Sequence, residues 1–495
     1  MGTSSIWLLA TFAFLLGYGV ADNIKASHQT NHSIFILNQT YRPSFHFQPS
    51  KNWMNDPNGP MIYKGLYHMF YQHNPKAAIW SNNSIVWGHS VSLDLINWFP
   101  LQPALTPTQP YDINGCWSGS TTLLHGAKPV ILYTGNNYNE DQTQNLAIPK
   151  NVSDPFLREW VKSPKNPVMR PTRGNKINGT SFRDPTTAWL GHDGFWRVIV
   201  GSQIGNNGIA LLYLSKDFVN WVEAKHALHS AKKTGMWECP DFYPVLVHGS
   251  DGLDTSAING PGHHVRHVLK AIPRTLWLHK SGKQLVQWPI VEIEKLRTNP
   301  VNLHSKVLKG GTLLEVSGVT AAQADVEISF EVSELGKAQA LDPNLKLYPQ
   351  HLCSGKGPKE VKGGLGPFGL LVLASKGMQE YTSVFFKVYR VNKSYVVLMC
   401  SDQSRSSLDH KNDLTTYGAF VDVDPVHEEL SIRTLIDHSV VESFGGHGKA
   451  CITARVYPTL AIDGKAHLHA FNNGTVDVKI TRLSAWSMKK AKKMN

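Results

Sequence analysis

Between Phe45 and Leu296 apolar and aromatic residues come in short runs, each ended after a few positions by Gly, Pro, Asn or Asp: MIYKGLYHMFYQ, IVWGHSVSL, KPVILYTG, FWRVIVGSQ, IALLYLS and QLVQWPIVEI. None sustains the period of an amphipathic helix, and their length and spacing predict strands joined by turns. Many short strands with Trp and Tyr near their ends point to a closed all-β architecture, a propeller with a lined central pocket in preference to a sandwich. After Leu296 the texture changes. VEISFEV, TSVFFKVYRV, SYVVLMC, LSIRTLI and ACITARVYP alternate apolar with polar positions, the pattern of antiparallel strands with one wet face. Residues 22–297 are therefore expected to form a β-propeller and residues 298–495 a C-terminal β-sandwich.

The length of 495 residues exceeds one ordinary domain, and 41% hydrophobic with 17% charged residues is a core-forming composition, so two domains are expected. Residues 1–21, MGTSSIWLLATFAFLLGYGVA, carry no charge and hold an apolar run too short to span a bilayer, which reads as a secretory signal peptide cleaved near Ala21. No later stretch reaches membrane-spanning length without charge, so a secreted mature form free of membrane is expected. Seven N-x-S/T sequons, at Asn31, Asn38, Asn82, Asn151, Asn178, Asn392 and Asn473, agree with that route. Five cysteines are too few and too odd for a disulfide scaffold. Cys353 and Cys400 both border strand-like runs and are expected to pair. The formal charge of +12 asks for an acidic partner, and for a secreted chain an anionic wall polysaccharide is expected before nucleic acid. The closing KKAKK adds a basic tail that reads as a solvated terminus.

The stretch WMNDPNGP, Trp53 to Pro60, sets one carboxylate, Asp56, between Asn55 and Pro57 and ahead of an Asn-Gly pair. Asp-Pro and Asn-Gly predict a tight reversal between strands, and such a turn can hold an acid over a cavity while Trp53 offers a face for a sugar ring. Two further acids have similar settings. SFRDPTTAWL places Asp184 between Arg183 and a proline, and GMWECPDFYP places Glu238 between a tryptophan and Cys-Pro. They lie too far apart for helical pairing and meet only if successive β units converge on one axis, as in a propeller.

Other chemistries find less support, and neither a metal nor a cofactor is expected. HEEL at His427 lacks the second histidine of a zinc motif, because Ser431 stands four positions on. The cluster His263, His264 and His267 reads as an exposed turn, and Cys239 has no paired histidine to make it a nucleophile. In LIDHSVVESFGG an alternating strand would put Asp437 and Glu442 on opposite faces, so His438 and both acids are read as structural.

WMNDPNG, FYQ, IW, GCWSGS, FRDP and WECPDFYP, in this order, resemble the plant β-fructofuranosidases of glycoside hydrolase family 32, the acid invertases and fructan exohydrolases. The resemblance continues through GPFGLLVLASK and MCSDQSRSS, and the proline of WECPD is similar to the cell-wall type. It implies a five-bladed β-propeller followed by a β-sandwich, sucrose or fructan as substrate, and a place in the cell wall or apoplast. It further implies that Asp56 is the nucleophile, Glu238 the general acid and base, and Asp184 a stabiliser of the transition state with Arg183 keeping it ionised. Asn55, Gln72, Trp80, Trp117 and Ser118 match positions that line the sugar pocket. A retaining pair has its carboxyl groups about 5 to 5.5 Å apart and works at mildly acidic pH, with one carboxyl ionised and the other protonated.

Against that family the chain falls short in one place. HHVRHVLK, ending at Lys270, runs directly into AIPRTLWLHKSGKQLVQW, and only four strands, one blade's worth, are legible from Phe242 to Leu296. The shortfall is roughly 80 to 100 residues, on the order of two propeller repeats. The join is clean, as an omitted exon or a faulty gene model would leave it. Two functions follow: a secreted β-fructosidase, supported by the retained motifs, or a catalytically dead chain that binds sugar or wall polymer, supported by the shortfall.

Overall fold

The computed structural model describes residues 39–171, 177–246, 265–269, 275–281, 284–345, 348–354 and 364–492. The signal segment, Asn31, Asn38, His263, His264 and the Lys270–Ala271 junction lie outside them. The expected all-β texture holds for the described residues, apart from one short α-helix, Pro349–Cys353, and a few 3-10 turns. A first antiparallel sheet runs β1 (Trp53–Tyr63), β2 (Leu66–Asn74), β3 (Val86–Ser92) and β4 (Trp98–Leu105). A second repeats the pattern with β5 (Cys116–Leu124), β6 (Lys128–Asn136), β7 (Gln142–Pro149) and β8 (Trp160–Lys162). The third has six strands: β9 (Phe182–Arg183), β10 (Trp189–Leu190), β11 (Trp196–Ile204), β12 (Asn207–Ser215), β13 (Trp221–Glu223) and β14 (His229–Ala231).

These sheets hold together face to face, as propeller blades must. Phe70, Trp87, Ile131 and Tyr133 bury their side chains between the first and second sheets, and Leu132, Leu146, Val198 and Leu211 do so between the second and third. Each such side chain contributes about 1.5–3 kcal/mol when fully buried, so a blade that lacks a neighbour loses several of these terms at once.

The region after Glu238 differs from the reading of one four-stranded blade. Its strands β15 (Phe242–Leu246) and β16 (Val265–Leu269) form one two-stranded sheet, and β17 (Thr275–Leu278) and β18 (Leu285–Trp288) form another. Among the described residues the propeller region thus holds three sheets of four or more strands and then two hairpins.

WMNDPNGP is not a turn. It lies wholly within β1, and the reversal comes later, at Lys64 and Gly65 with φ of 47° and 80°. Two prolines fit because β1 is an edge strand, where a missing N–H costs no ladder bond, and because the register to β2 shifts at Met54/Pro57 and Asn58/Met61. Gly59 is required in the second irregularity: its φ is 45° and a Cβ would come within 2.5 Å of Thr121.

From Arg297 onward the chain forms two sheets of six and seven strands, antiparallel except where Gln339–Ala340 pairs in parallel with Thr382–Val391, and Phe330, Phe368 and Phe386 lie in the core between them. Cys353 and Cys400 are disulfide-bonded as expected, and Cys116 and Cys239 are free thiols. LIDHSVVESFGG is a hairpin of Leu430–Asp437 and Val440–Gly445 and not one alternating strand. The turn therefore folds Asp437 and Glu442 back to the same ring, His46, at 3.0 and 3.7 Å. Asp437 also accepts the backbone N–H groups of Ser44, Phe45 and His46, which straps the start of the propeller onto the sandwich. Of the described sequons, Asn82, Asn151, Asn178 and Asn392 are exposed. Asn473 is only 3% exposed, so a glycan has no room there and that expectation is corrected.

Candidate active site

The three acids arrive from the first sheet, the third sheet and the segment that leads into β15. Asp56 stands on the innermost strand of the first, where the bulge after Met54 turns its side chain toward the second sheet, and its Oδ2 accepts a hydrogen bond from Ser118 Oγ of β5 at 2.8 Å. Asp184 follows β9 with φ of 66° and is fixed by its own N–H, which donates to Thr134 Oγ1 at 2.9 Å. Glu238 lies in the segment before β15, next to Cys239, whose φ is 45°. Two side-chain-bearing residues in the left-handed region mark a backbone held by its surroundings.

Cys239 ties the set together. Its N–H donates to Asp184 Oδ2 at 2.9 Å, and its thiol donates to Asp56 Oδ2 at 3.2 Å. Burial, with the Asp184 and Asp56 carboxylates beside it, pushes the thiol far above its ordinary range, so the sulfur stays protonated and acts as a donor. Asp56 Oδ2 thus has two donors, and the residue lines the cavity of the site. Arg183 pairs with Glu238 through Nη2, lies 3.8 Å from Asp184 through Nε, and is steadied by Gln142 Oε1 and Thr180 O, each at 3.3 Å.

Burial pushes the Asp184 carboxyl up to about 6, although the Cys239 N–H and the Arg183 charge pull the other way; the Asp56 and Glu238 charges add to the rise. The Arg183 charge favours the ionised form of Asp184 as expected, but its nearer partner is Glu238 and burial outweighs it. Glu238 itself has a side chain 64% exposed.

Around the acids, Trp53, Trp80 and Trp117 form an edge-to-face ladder with centroids 5.1 and 5.5 Å apart, and Trp80 remains 42% exposed. Asn55 is exposed one residue before Asp56, whereas Gln72 is buried on β2 and donates to Cys116 O at 3.2 Å. A cavity of about 760 Å³ opens beside Asp56, Ser118, Asp184 and Cys239 and runs to Leu435 and Glu442 of the sandwich. Among the residues that sequence reasoning did not single out, Thr134 within β6 and Gln142 at the start of β7 hold Asp184 and Arg183, and no motif marks either. Cys239 was marked only by its place between Glu238 and Pro240.

Comparison with known proteins agrees with this geometry. Residues 46–271 match the glycosyl hydrolases family 32 N-terminal domain, and residues 292–487 match the family 32 C-terminal domain. The chain is 53% identical to a cell-wall β-fructofuranosidase of Pisum sativum, over 94% of this chain and 99% of that one. It is 51% identical to a fructan 6-exohydrolase of Beta vulgaris, over 93% and 89%. Among solved structures, fructan 1-exohydrolase IIa of Cichorium intybus superposes with a TM-score of 0.86 at 46% identity, over 92% of this chain and 99% of that one. The pea alignment runs to 560 positions against the 495 residues present here, so at least 65 of them face no residue of this chain. With both family domains matched in order and half of the positions shared with plant relatives across nearly the whole chain, the protein belongs to glycosyl hydrolase family 32.

Proposed function

We propose that the chain is a retaining β-fructofuranosidase that releases fructose from sucrose or a fructan. The observation that carries this reading is the linkage of Asp56, Asp184 and Glu238 through Cys239 and Arg183 into one hydrogen-bonded set beside a cavity. In the first step Asp56 Oδ1 attacks the anomeric carbon of the fructosyl unit, the glycosidic C–O bond breaks, and Glu238 gives its proton to the departing oxygen. In the second, Glu238 takes a proton from water, the hydroxyl attacks the same carbon, and the bond to Asp56 breaks to free fructose. Asp184 accepts fructose hydroxyls as charge develops, and the Trp53, Trp80 and Trp117 faces cover the sugar rings.

Asp56→Ala and Glu238→Ala should each lower turnover of sucrose by at least about a thousandfold without changing the melting temperature by more than a few degrees. Near-parental activity in either purified variant would overturn the assignment. The relatives include a cell-wall enzyme, and the charge of +12 supports retention on an anionic wall polysaccharide outside the cell.

A second reading is favoured by one observation. The exposed Glu238 sits where the propeller passes from a six-stranded sheet to two hairpins, and the segments absent relative to the family would flank it. On that reading the chain binds fructosides without turning them over. Calorimetric binding of sucrose with no detectable fructose release would select it.

A further inference from the structure

The MCSDQSRSS segment takes no part in the active site, yet it sets Arg405 on the wall of a second cavity, in the sandwich. There the strands Thr312–Glu315, His467–Asn472 and Phe368–Ala374 lie side by side in the seven-stranded sheet. Alternation sends Leu370 into the core with Phe330 and Leu371 to the opposite face, where it joins Phe471 and Tyr381 in a separate apolar cluster. Leu371 and Phe471 are buried and floor the cavity, Met378 and the 47% exposed Leu313 edge it, and its volume is about 130 Å³. That is well below the about 300–1,000 Å³ of a site for a drug-sized ligand and suits a single ring.

The polar side of this pocket is built from donors. Arg405 is half-buried, and its C=O accepts the Tyr381 N–H at 2.8 Å, which fixes the backbone there. Its Nη1 donates to the Tyr381 hydroxyl at 3.0 Å, so that hydroxyl's own proton is left to donate. The half-buried Arg183, Arg197 and Arg297 each pair with a carboxylate, whereas Arg405 meets none among the described residues. The nearby Asp402 instead accepts the Ser404 N–H and the Thr416 hydroxyl. A guanidinium beside a hydroxyl calls for a group that only accepts, and a carboxylate is planar and bidentate to match it.

We propose that this pocket is a subsite for a carboxylated sugar, the terminal uronate of an anionic wall polysaccharide, with its carboxylate on Arg405 and Tyr381 and a ring face over Phe471 and Leu371. The choice of polymer rests on the reading of wall retention given above and adds a recognised group to it: the +12 charge draws in any polyanion, and the pocket selects a sugar acid.

The test is a ligand-observed NMR titration of the full chain with D-galacturonate at about pH 6, where a carboxyl of this kind is ionised. D-galactose serves as the ring without the charge, and acetate as the charge without the ring. Galacturonate should bind at least about tenfold more tightly than galactose and at least about threefold more tightly than acetate. Arg405→Gln should weaken galacturonate at least about tenfold, and so should Leu313→Glu, which places a carboxylate at the exposed rim. Lys128→Gln, which removes the same unit of charge from the exposed start of β6, should leave the affinity within about twofold. No binding of galacturonate, equal affinity for galactose or for acetate, unchanged binding in Leu313→Glu, or an equal loss in Lys128→Gln would each overturn the proposal. Leu313→Glu decides the matter even where Arg405→Gln fails to fold. Salt-sensitive retention on pectin without a preference for the uronate would overturn the subsite and leave retention by charge standing. Because the readout is binding, it does not depend on whether the chain turns sucrose over.

Discussion

Raising the pH through about 9 should loosen the strap that joins propeller to sandwich, and His46 is the group responsible. Burial alone would lower its affinity for a proton, but hydrogen bonds and charge from Asp437 and Glu442 outweigh burial and raise it to about 9. The Phe45 ring stacks beside the imidazole, and no other charged group is paired with it among the described contacts. A histidine whose folded value lies above its unfolded value of about 6.5 stabilises the fold fully below that lower value, and the benefit is lost as pH rises through the upper one. A separation of about 2.5 units corresponds to about 3 kcal/mol, a large share of a typical stability of about 5–15 kcal/mol. Calorimetric melts of the parent and of His46→Gln, taken from pH 6 to pH 10, would measure it. The parent should melt several degrees higher than the variant near pH 6, and the gap should close by about pH 10. Lysines and tyrosines that titrate in the same range affect both proteins alike and cancel in the difference. A gap that stays constant across the whole range would refute the reasoning, since it would show that His46 acts by shape and not by charge.

Three further outcomes are expected. Arg433→Met should destabilise the chain by about 3–5 kcal/mol in denaturant titrations, because Arg433 is 1% exposed and its loss leaves the fully buried Asp325 with Arg297 as its remaining cationic partner. Retention on pectin should fall steeply between low and molar salt, as screening of the +12 charge requires; retention independent of salt would point instead to recognition of a particular glycan. A chain given the pea relative's additional residues at the Lys270–Ala271 junction should melt higher and hydrolyse sucrose faster than the chain as it stands, and equal values would show that the two hairpins already close the propeller.

Where the sequence was legible and where it was not follows from what one strand can report about itself. The sandwich was readable as strands from its alternating runs, and Val326, Ile328 and Phe330 are buried as that alternation requires. The expected wet face is corrected for Leu430–Asp437, which is buried at every position because Gln323–Glu331 and Val440–Gly445 flank it and its polar side chains pair inside the fold. The acids could be grouped because each stands in a segment where proline limits the backbone. The Asp-Pro-Asn-Gly segment misled because its turn propensity is local, whereas its accommodation in β1 depends on being an edge strand, and that depends on the order of strands in a sheet. The hairpin at His438 was hidden for the opposite reason: its turn takes φ of 55° at a histidine followed by serine, with neither Gly nor Asn to announce it. Asp437 and Glu442 therefore looked separated when the fold brings both to His46. The same logic bears on Glu238. Its motif is intact, yet a catalytic acid owes its behaviour to what covers it, and cover is supplied by neighbouring strands. Two-stranded sheets stand after it where the preceding sheets have four or more strands, and its side chain is 64% exposed. A motif can thus survive in a chain while the environment that gives it chemical force is thinned, and activity depends on the second as much as on the first.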